Sequence, residues 1–160
     1  MKSLNTSQSL GKILEHKNMT LAVAESCTGG MVGGMITAVP GSSRYFVGGV
    51  IAYDDRIKRS VLGVPGSLLR RYGAVSVQTV IAMARGVKRI FKTDCAIAVS
   101  GIAGPGGGTK EKPVGLVVIG AAVKKNVRVS EIRIKGNRQQ VRRKTVEESL
   151  KLLKGLVEQE

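Results

Sequence analysis

Two hydrophobic rhythms run through this chain, and the points where one gives way to the other mark its predicted elements. Leu4, Leu10, Ile13 and Leu14 recur at helical spacing and predict an amphipathic opening helix over residues 4–17. A short apolar run, 21–24, then meets the glycine-rich Glu-Ser-Cys-Thr-Gly-Gly, and apolar spacing resumes over 31–39 until Pro40. That succession is a strand, a turn and a helix. Residues 46–53, rich in Val, Ile and aromatic side chains, predict a second strand, followed by a charged helical turn that carries Lys58 and ends at Gly63. Pro65 suits the first position of a short helix over 65–71. Ser76 is a good N-cap for the clearest helix in the chain, whose Val77, Val80, Ile81, Ala84, Val87 and Phe91 keep helical spacing.

The second half begins with a continuous apolar run, 95–99, that opens into a stretch with too many Gly and Pro residues for any regular element. Residues 115–123 and 127–134, separated by Lys124, Lys125 and Asn126, predict an antiparallel hairpin. Asn137, matched by Gln140 three positions on, caps a final helix with Val141, Val146, Leu150, Leu153 and Val157 as its apolar stripe. Strands interleave with helices throughout and the two longest strands are adjacent. The expected fold is therefore a single α/β domain, a mixed sheet with helices on both faces, the N-terminal helix of residues 1–18 packing on it.

Charge narrows the partners. The chain holds 26 Lys+Arg against 11 Asp+Glu, a formal +15, which favours an anionic ligand. Residues 124–154 contribute 11 basic and 3 acidic side chains. Nucleic acid is the less favoured partner, because aromatic residues make up 3% of the chain and Trp is absent, leaving little on which to stack bases. Cys27, Cys95 and the single His16 exclude a disulfide framework, a four-cysteine zinc site and His-based triads, so neither metal nor cofactor is expected. The first twenty residues lack an apolar segment and no apolar run spans a bilayer, so a cytoplasmic protein without a membrane partner is expected.

Two strand-end loops carry the candidate chemistry: residues 25–30 and 100–109. Ligands of open α/β sheets lie beyond the carboxyl ends of the strands, so the two loops point to one shared site. Neither loop contains GxGxxG or the P-loop pattern, and GxSxG is absent from the chain, which disfavours dinucleotide oxidoreductases, P-loop NTPases and ordinary α/β-hydrolases. Ser26 follows an apolar strand and precedes a glycine-rich helix start, a place for a nucleophile beside unpaired amides of Cys27, Thr28 and Gly29. Ser26 as a plain helix cap, with Thr28 competing for that task, stays open at this level. A serine here needs a base other than histidine. Lys58, flanked by the like charges of Arg56 and Arg59, qualifies if it is held uncharged, and Tyr53 can orient the proton. A solvated charged helix face is the competing account of Lys58. Gly101, Gly106 and Gly107, in a loop bounded by Ser100 and Thr109, let backbone amides approach an anion. Arg138 and Arg142, one turn apart at the start of the last helix, can clamp a phosphate.

AESCTGG (24–30), VPGSSRYFVGGVIAY (39–53), YDDRIK (53–58), YGAVS (72–76), SGIAGPGGGTKEKPVG (100–115) and GNRxxVR (136–142), taken together and in this order, resemble the CinA C-terminal domain family, the nicotinamide-nucleotide amidohydrolases. The resemblance runs from about residue 21 to 153. It implies a three-layer α/β/α sandwich, usually a homodimer, that hydrolyses the carboxamide of nicotinamide mononucleotide to nicotinate mononucleotide and ammonia without a metal. It also implies Ser26 as nucleophile, Lys58 as its partner and Tyr53 assisting, with Ser100, Thr109, Arg142 and Arg138 lining the substrate site. Many relatives carry an N-terminal domain with pyrophosphatase activity, for which 160 residues leave no space, so that second activity is expected to be absent. Where relatives commonly read YSNEAK, this chain reads YDDRIK, which keeps tyrosine and lysine and alters the charge around them. Glu25 or Asp54 is the expected acidic wall for the cationic pyridinium ring. The rival function is non-catalytic binding of a nucleotide or nucleic acid through the basic surface.

Overall fold

The computed structural model describes residues 2–160. Its sheet is built from β1 (Leu21–Glu25), β2 (Phe46–Ile51), β3 (Cys95–Gly101), β4 (Leu116–Val123) and β5 (Asn126–Arg133), in the spatial order β2-β1-β3-β4-β5. β1 runs parallel to both β2 and β3, whereas β3–β4 and β4–β5 are antiparallel. The sheet is mixed, as the interleaving of elements predicts. β1, β3 and β4 are buried along nearly their whole length, and the edge strands β2 and β5 alternate between covered and open positions. This is why the three central strands read as continuous apolar runs.

Successive residues of a strand face opposite layers, and here the two faces differ in size. Leu21, Val23, Ile97, Val99, Val117 and Ile119 meet α1 (Lys2–His16), α2 (Met31–Thr37) and α6 (Arg138–Val157). Ala22, Ala24, Ala96 and Ala98 point the other way, toward Val80, Met83, Ala84 and Val87 of α5 (Val77–Phe91). Small residues on that face let one long helix settle close to the strands. Two short helices, α3 (Asp55–Ser60) and α4 (Gly66–Tyr72), link β2 to α5. The result is a three-layer α/β/α sandwich in a single domain.

The cap signals hold. Ser76 Oγ accepts from the Thr79 amide at the start of α5, and Asn137 and Gln140 form the reciprocal capping box of α6. Most boundaries fall within one or two residues of those expected, and three shifts lie beside the site. α2 stops at Thr37, two residues short of the predicted end, and β2 stops at Ile51 rather than residue 53. β3 continues through Ser100 and Gly101, because these residues pair with Val118 and Val117 of the longer β4. Antiparallel pairing thus carries the strand past the apolar run on which its prediction rests.

Because β1 lies between β2 and β3, the chain leaves β1 in one direction and later returns to its other side. The crevice at such a switch point is where open α/β sheets hold their ligands. The segments leaving β1, β2 and β3 meet there. No described helix is long and apolar enough to cross a membrane.

Candidate active site

The turn after β1 is held by charge. Glu25, the last residue of β1, is buried, and its carboxylate accepts from the amides of Gly30 (3.0 Å), Val32 (3.0 Å) and Gly33 (2.8 Å). These are donors that the first turn of α2 leaves unpaired, and an anion is the favoured partner for them. From the other side Arg142, in the second turn of α6, donates through Nε to the Cys27 carbonyl (3.1 Å) and through Nη2 to the Thr28 carbonyl (3.0 Å). Gly29 sits at φ +58, and a side chain there would stand 3.3 Å from that guanidinium. Glycine answers both constraints.

Ser26 follows directly from Glu25, its amide bound to the Val99 carbonyl at 3.1 Å. Its hydroxyl has no hydrogen-bond partner among the described residues and faces a cavity of about 200 Å³. The amides of Cys27 and Thr28 likewise donate to no oxygen among the described residues. Ser26 does not cap α2 by its side chain. Glu25 takes that task, which removes the capping account of Ser26. It also corrects the expectation that Glu25 faces the ring of a substrate, since the three amides and near-complete burial occupy its carboxylate.

Lys58 lines the same cavity and is 1% exposed, the largest fully buried side chain among the described residues. The solvated-face account of this residue is thereby excluded. Its Nζ donates to the Tyr53 carbonyl (3.2 Å) and pairs with Asp55 Oδ1 (3.2 Å). It does not bond Ser26. The expected influence of neighbouring cations on Lys58 is also corrected. Arg56 turns outward to an ion pair with Asp54 at 3.1 Å, and Arg59 is exposed, so the charge paired with Lys58 is the Asp55 carboxylate. Asp54 caps α3 by accepting from the Arg56 amide, and the bond to Arg56 holds its carboxyl below the usual range.

Tyr53 and Arg138 form the cavity's outer wall. Arg138 donates to the Tyr53 hydroxyl (3.2 Å) and to the Gly104 carbonyl (2.8 Å), tying the segment after β2 to the loop after β3. Gly101 brings the β1 and β3 turns together: a Cβ there would lie 3.2 Å from Cys27 Sγ and 2.8 Å from Val117 Cγ2. Cys27 is buried beside this contact, and desolvation pushes its thiol up to about 11. It is therefore neutral at physiological pH.

The structure thus gathers Ser26, Cys27, Tyr53, Lys58, Ser100, Gly101 and Arg138 around one cavity. Thr28 and Gly29 lie in the adjoining turn. The Ser100 hydroxyl donates to the Ala74 carbonyl (2.8 Å), fixing the segment before α5 against the cavity. Gly106, Gly107 and Thr109 are exposed and do not line it, and Thr109 instead closes a local turn with Lys112. Both guanidiniums expected to clamp a phosphate are engaged with the protein itself. Asp55 was not singled out in the sequence, although its three-residue spacing from Lys58 in a charged helical turn is the signal for such a pair. A larger groove of about 670 Å³ lies between the start of α1, the end of β5 and α6. It is lined by Lys144, Glu147 and Glu148, with Lys144 paired to both carboxylates, and no lysine of its lining is buried as Lys58 is. No cluster of described residues has the makeup of a metal site.

The CinA C-terminal domain family model matches residues 4–157. A putative competence-damage inducible protein of Desulforudis audaxviator is 50% identical over 150 residues, covering 94% of this chain and 36% of that protein. A CinA-like protein of Desulfotalea psychrophila is 47% identical over 148 residues, covering 92% of this chain and 36% of that protein. The chain thus spans about a third of the length of these relatives. Among solved structures, the competence/damage inducible protein CihA from Agrobacterium tumefaciens superposes with a TM-score of 0.95 at 37% identity, covering 98% of this chain and 96% of that one. A CinA superfamily protein from Klebsiella pneumoniae superposes equally well, at 0.95 and 28% identity, covering 99% of each chain. With its strand-end motifs folded around one cavity and a match across nearly its whole length, the chain belongs to the CinA C-terminal domain family.

Proposed function

We propose that this protein is an amidohydrolase that converts nicotinamide mononucleotide to nicotinate mononucleotide and ammonia, with Ser26 as nucleophile and Lys58 as its base. One observation carries the proposal: a fully buried lysine amine and an unbonded serine hydroxyl face the same small cavity, beside two unpaired amides, at the switch point of the sheet. A buried amine in a solvent-poor cleft is a costly feature that core packing does not require. Hydrogen bonds between nucleophile and base are commonly loose before substrate arrives and tighten in the complex.

In the first half of the reaction, Lys58 Nζ in its uncharged form takes the Ser26 proton as Oγ bonds to the carboxamide carbon. The oxyanion is received by the Cys27 and Thr28 amides, which Arg142 and Glu25 hold in place from either side. Lys58 then returns its proton to the amide nitrogen, the C–N bond breaks, and ammonia leaves an ester on Ser26. Water attacks that ester, giving one proton to Lys58 and its oxygen to the new carboxyl group. Lys58 finally reprotonates Ser26 Oγ. The cavity, about 200 Å³, falls below the usual range of about 300–1,000 Å³ for whole ligands. It therefore takes the ring end of the nucleotide and leaves ribose and phosphate at the mouth.

The test is ammonia release from nicotinamide mononucleotide, with nicotinamide and its riboside as controls. Release from the nucleotide is expected, with a loss of about 10³-fold or more in Ser26→Ala and Lys58→Met, comparable to removing a nucleophile or its base. Near-normal release by either variant overturns the mechanism.

A further inference from the structure

We propose that Asp55 selects a positively charged ring in this cavity, exchanging its ion pair with Lys58 for one with the substrate. The inference rests on the amidase reading above and assigns the residue that sets its choice of amide. Three carboxylates lie near Ser26 and Lys58, and the structure separates their tasks. Glu25 is buried on the amides of α2. Asp54 caps α3, pairs with Arg56 and does not line the cavity. Only Asp55 is a carboxylate of the cavity wall, and its side chain is half exposed while its partner Lys58 is enclosed.

The other polar groups of the cavity wall supply no second carboxylate. From the β1 turn comes Cys27, a neutral thiol. From the segment after β2 comes the Tyr53 carbonyl, and from α6 the Arg138 guanidinium, held by Gly104 and Tyr53. A neutral amide entering this cavity leaves the Lys58–Asp55 pair intact, with the amine held toward Asp55 and away from Ser26. A cationic ring acts on both members of the pair. It offers Asp55 a second counter-ion and sets a like charge against Lys58, so the carboxylate turns to the ring and the amine is released toward Ser26. The charge of the ring, rather than its shape alone, decides which amide is taken.

The test compares two amides that differ in ring charge and share the same ribose phosphate: nicotinamide mononucleotide and its 1,4-dihydro form. The dihydro amide is less electrophilic in any enzyme, so the quantity read is the change in the kcat/KM ratio between wild type and Asp55→Asn, in which that difference cancels. A fall in the preference for the cation of fivefold or more is expected, and Asp55→Glu should retain it. A smaller fall in a variant with wild-type circular dichroism overturns the proposal. Should Asp55→Asn fail to fold, Asp55→Ser takes the same assay. A second arm needs no turnover: calorimetric binding of 1-methylnicotinamide, a cationic ring without phosphate, to Ser26→Ala and to Ser26→Ala/Asp55→Asn. Binding weakened fivefold or more supports the assignment, and weaker dependence on Asp55 rejects it. If wild type releases no ammonia from either amide, the amidase reading fails, and this binding arm still decides whether Asp55 recognises a cationic ring.

Discussion

The turn after β1 and the turn after β3 are both glycine-rich, both follow buried parallel strands, and both end near hydroxyl side chains, yet they are built on different principles. Five hydrogen bonds to charged side chains hold the first, three from backbone amides to Glu25 and two from Arg142. The second is exposed from residue 105 to 110 and is tied mainly by its own backbone and by Thr109. On this side the cavity is lined by the end of β3, Ser100 and Gly101, and by Ala103 just beyond it, which strand pairing and packing hold against the sheet. Glycine content marks where a backbone is able to approach a ligand. Buried charge marks where it is held still.

The sharpest way to break the contrast is Glu25→Ala. Hydrogen bonds to a charged group contribute about 1.5–3 kcal/mol each, and a buried donor left without a partner costs a similar amount. With three amides orphaned, the urea unfolding free energy should drop by about 3 kcal/mol or more, and ammonia release should disappear with the geometry of the Ser26 turn. A loss under about 1 kcal/mol would show that the β1 turn holds itself and that the carboxylate is incidental.

Next in size is Arg142→Lys, which keeps the charge and removes the two-pronged grip on the Cys27 and Thr28 carbonyls. If Arg142 positions the oxyanion amides, kcat should fall by about 10–100-fold, in line with the loss of part of an oxyanion hole, while KM for the nucleotide stays within twofold. A phosphate clamp, the role the sequence gives this residue, predicts the reverse: KM rises and kcat holds. The split between the two constants decides between them.

How legible this was depends on the kind of interaction. Ser76, Asn137 and Gln140 announce their helix starts because capping is local, a matter of three residues. β1, β3 and β4 announce themselves because full burial forces an apolar run. Ser26 and Lys58 are visible as candidates through residue type and placement, and through the resemblance of their motifs. Their surroundings were not. Glu25 reads as an acidic residue at the mouth of a site, and only the course of the chain into α2 shows it turning inward to cap that helix. Arg142 is separated from Cys27 by 115 residues, and no local pattern links them. Asp55 was within reach of a helical-spacing rule, but the net effect of YDDRIK depends on which of its charges meet: Arg56 turns out to Asp54, while Lys58 turns in and takes the half-exposed Asp55 as its partner.

A smaller effect separates the turns chemically. Burial raises the Cys27 thiol to about 11, so roughly one molecule in 10⁴ carries the thiolate at pH 7. Alkylation by iodoacetamide should therefore be slow at neutral pH and rise about tenfold per pH unit until that value is approached. Since Arg142 grips the carbonyls of Cys27 and Thr28, Arg142→Lys should loosen the turn and accelerate labelling at constant pH. Equal rates in both proteins would mean that the turn is not loosened by losing the guanidinium.

The smallest effect is expected at the far turn. Thr109 Oγ1 accepts from the Lys112 amide at 3.0 Å, and both its side chain and the glycines before it lie open to solvent. Thr109→Ala removes one exposed hydrogen bond, so stability should change by about 1 kcal/mol at most. A loop that merely borders the cavity leaves kcat and KM within twofold of wild type. A loop that folds over the phosphate at the cavity mouth gives a different signature: KM for the nucleotide rises tenfold or more, while the phosphate-free riboside is unaffected. In that case the open turn acquires its order from the ligand, as the closed one acquires it from Glu25 and Arg142. The contrast between them then becomes one of timing, with one turn held before substrate arrives and the other held by it.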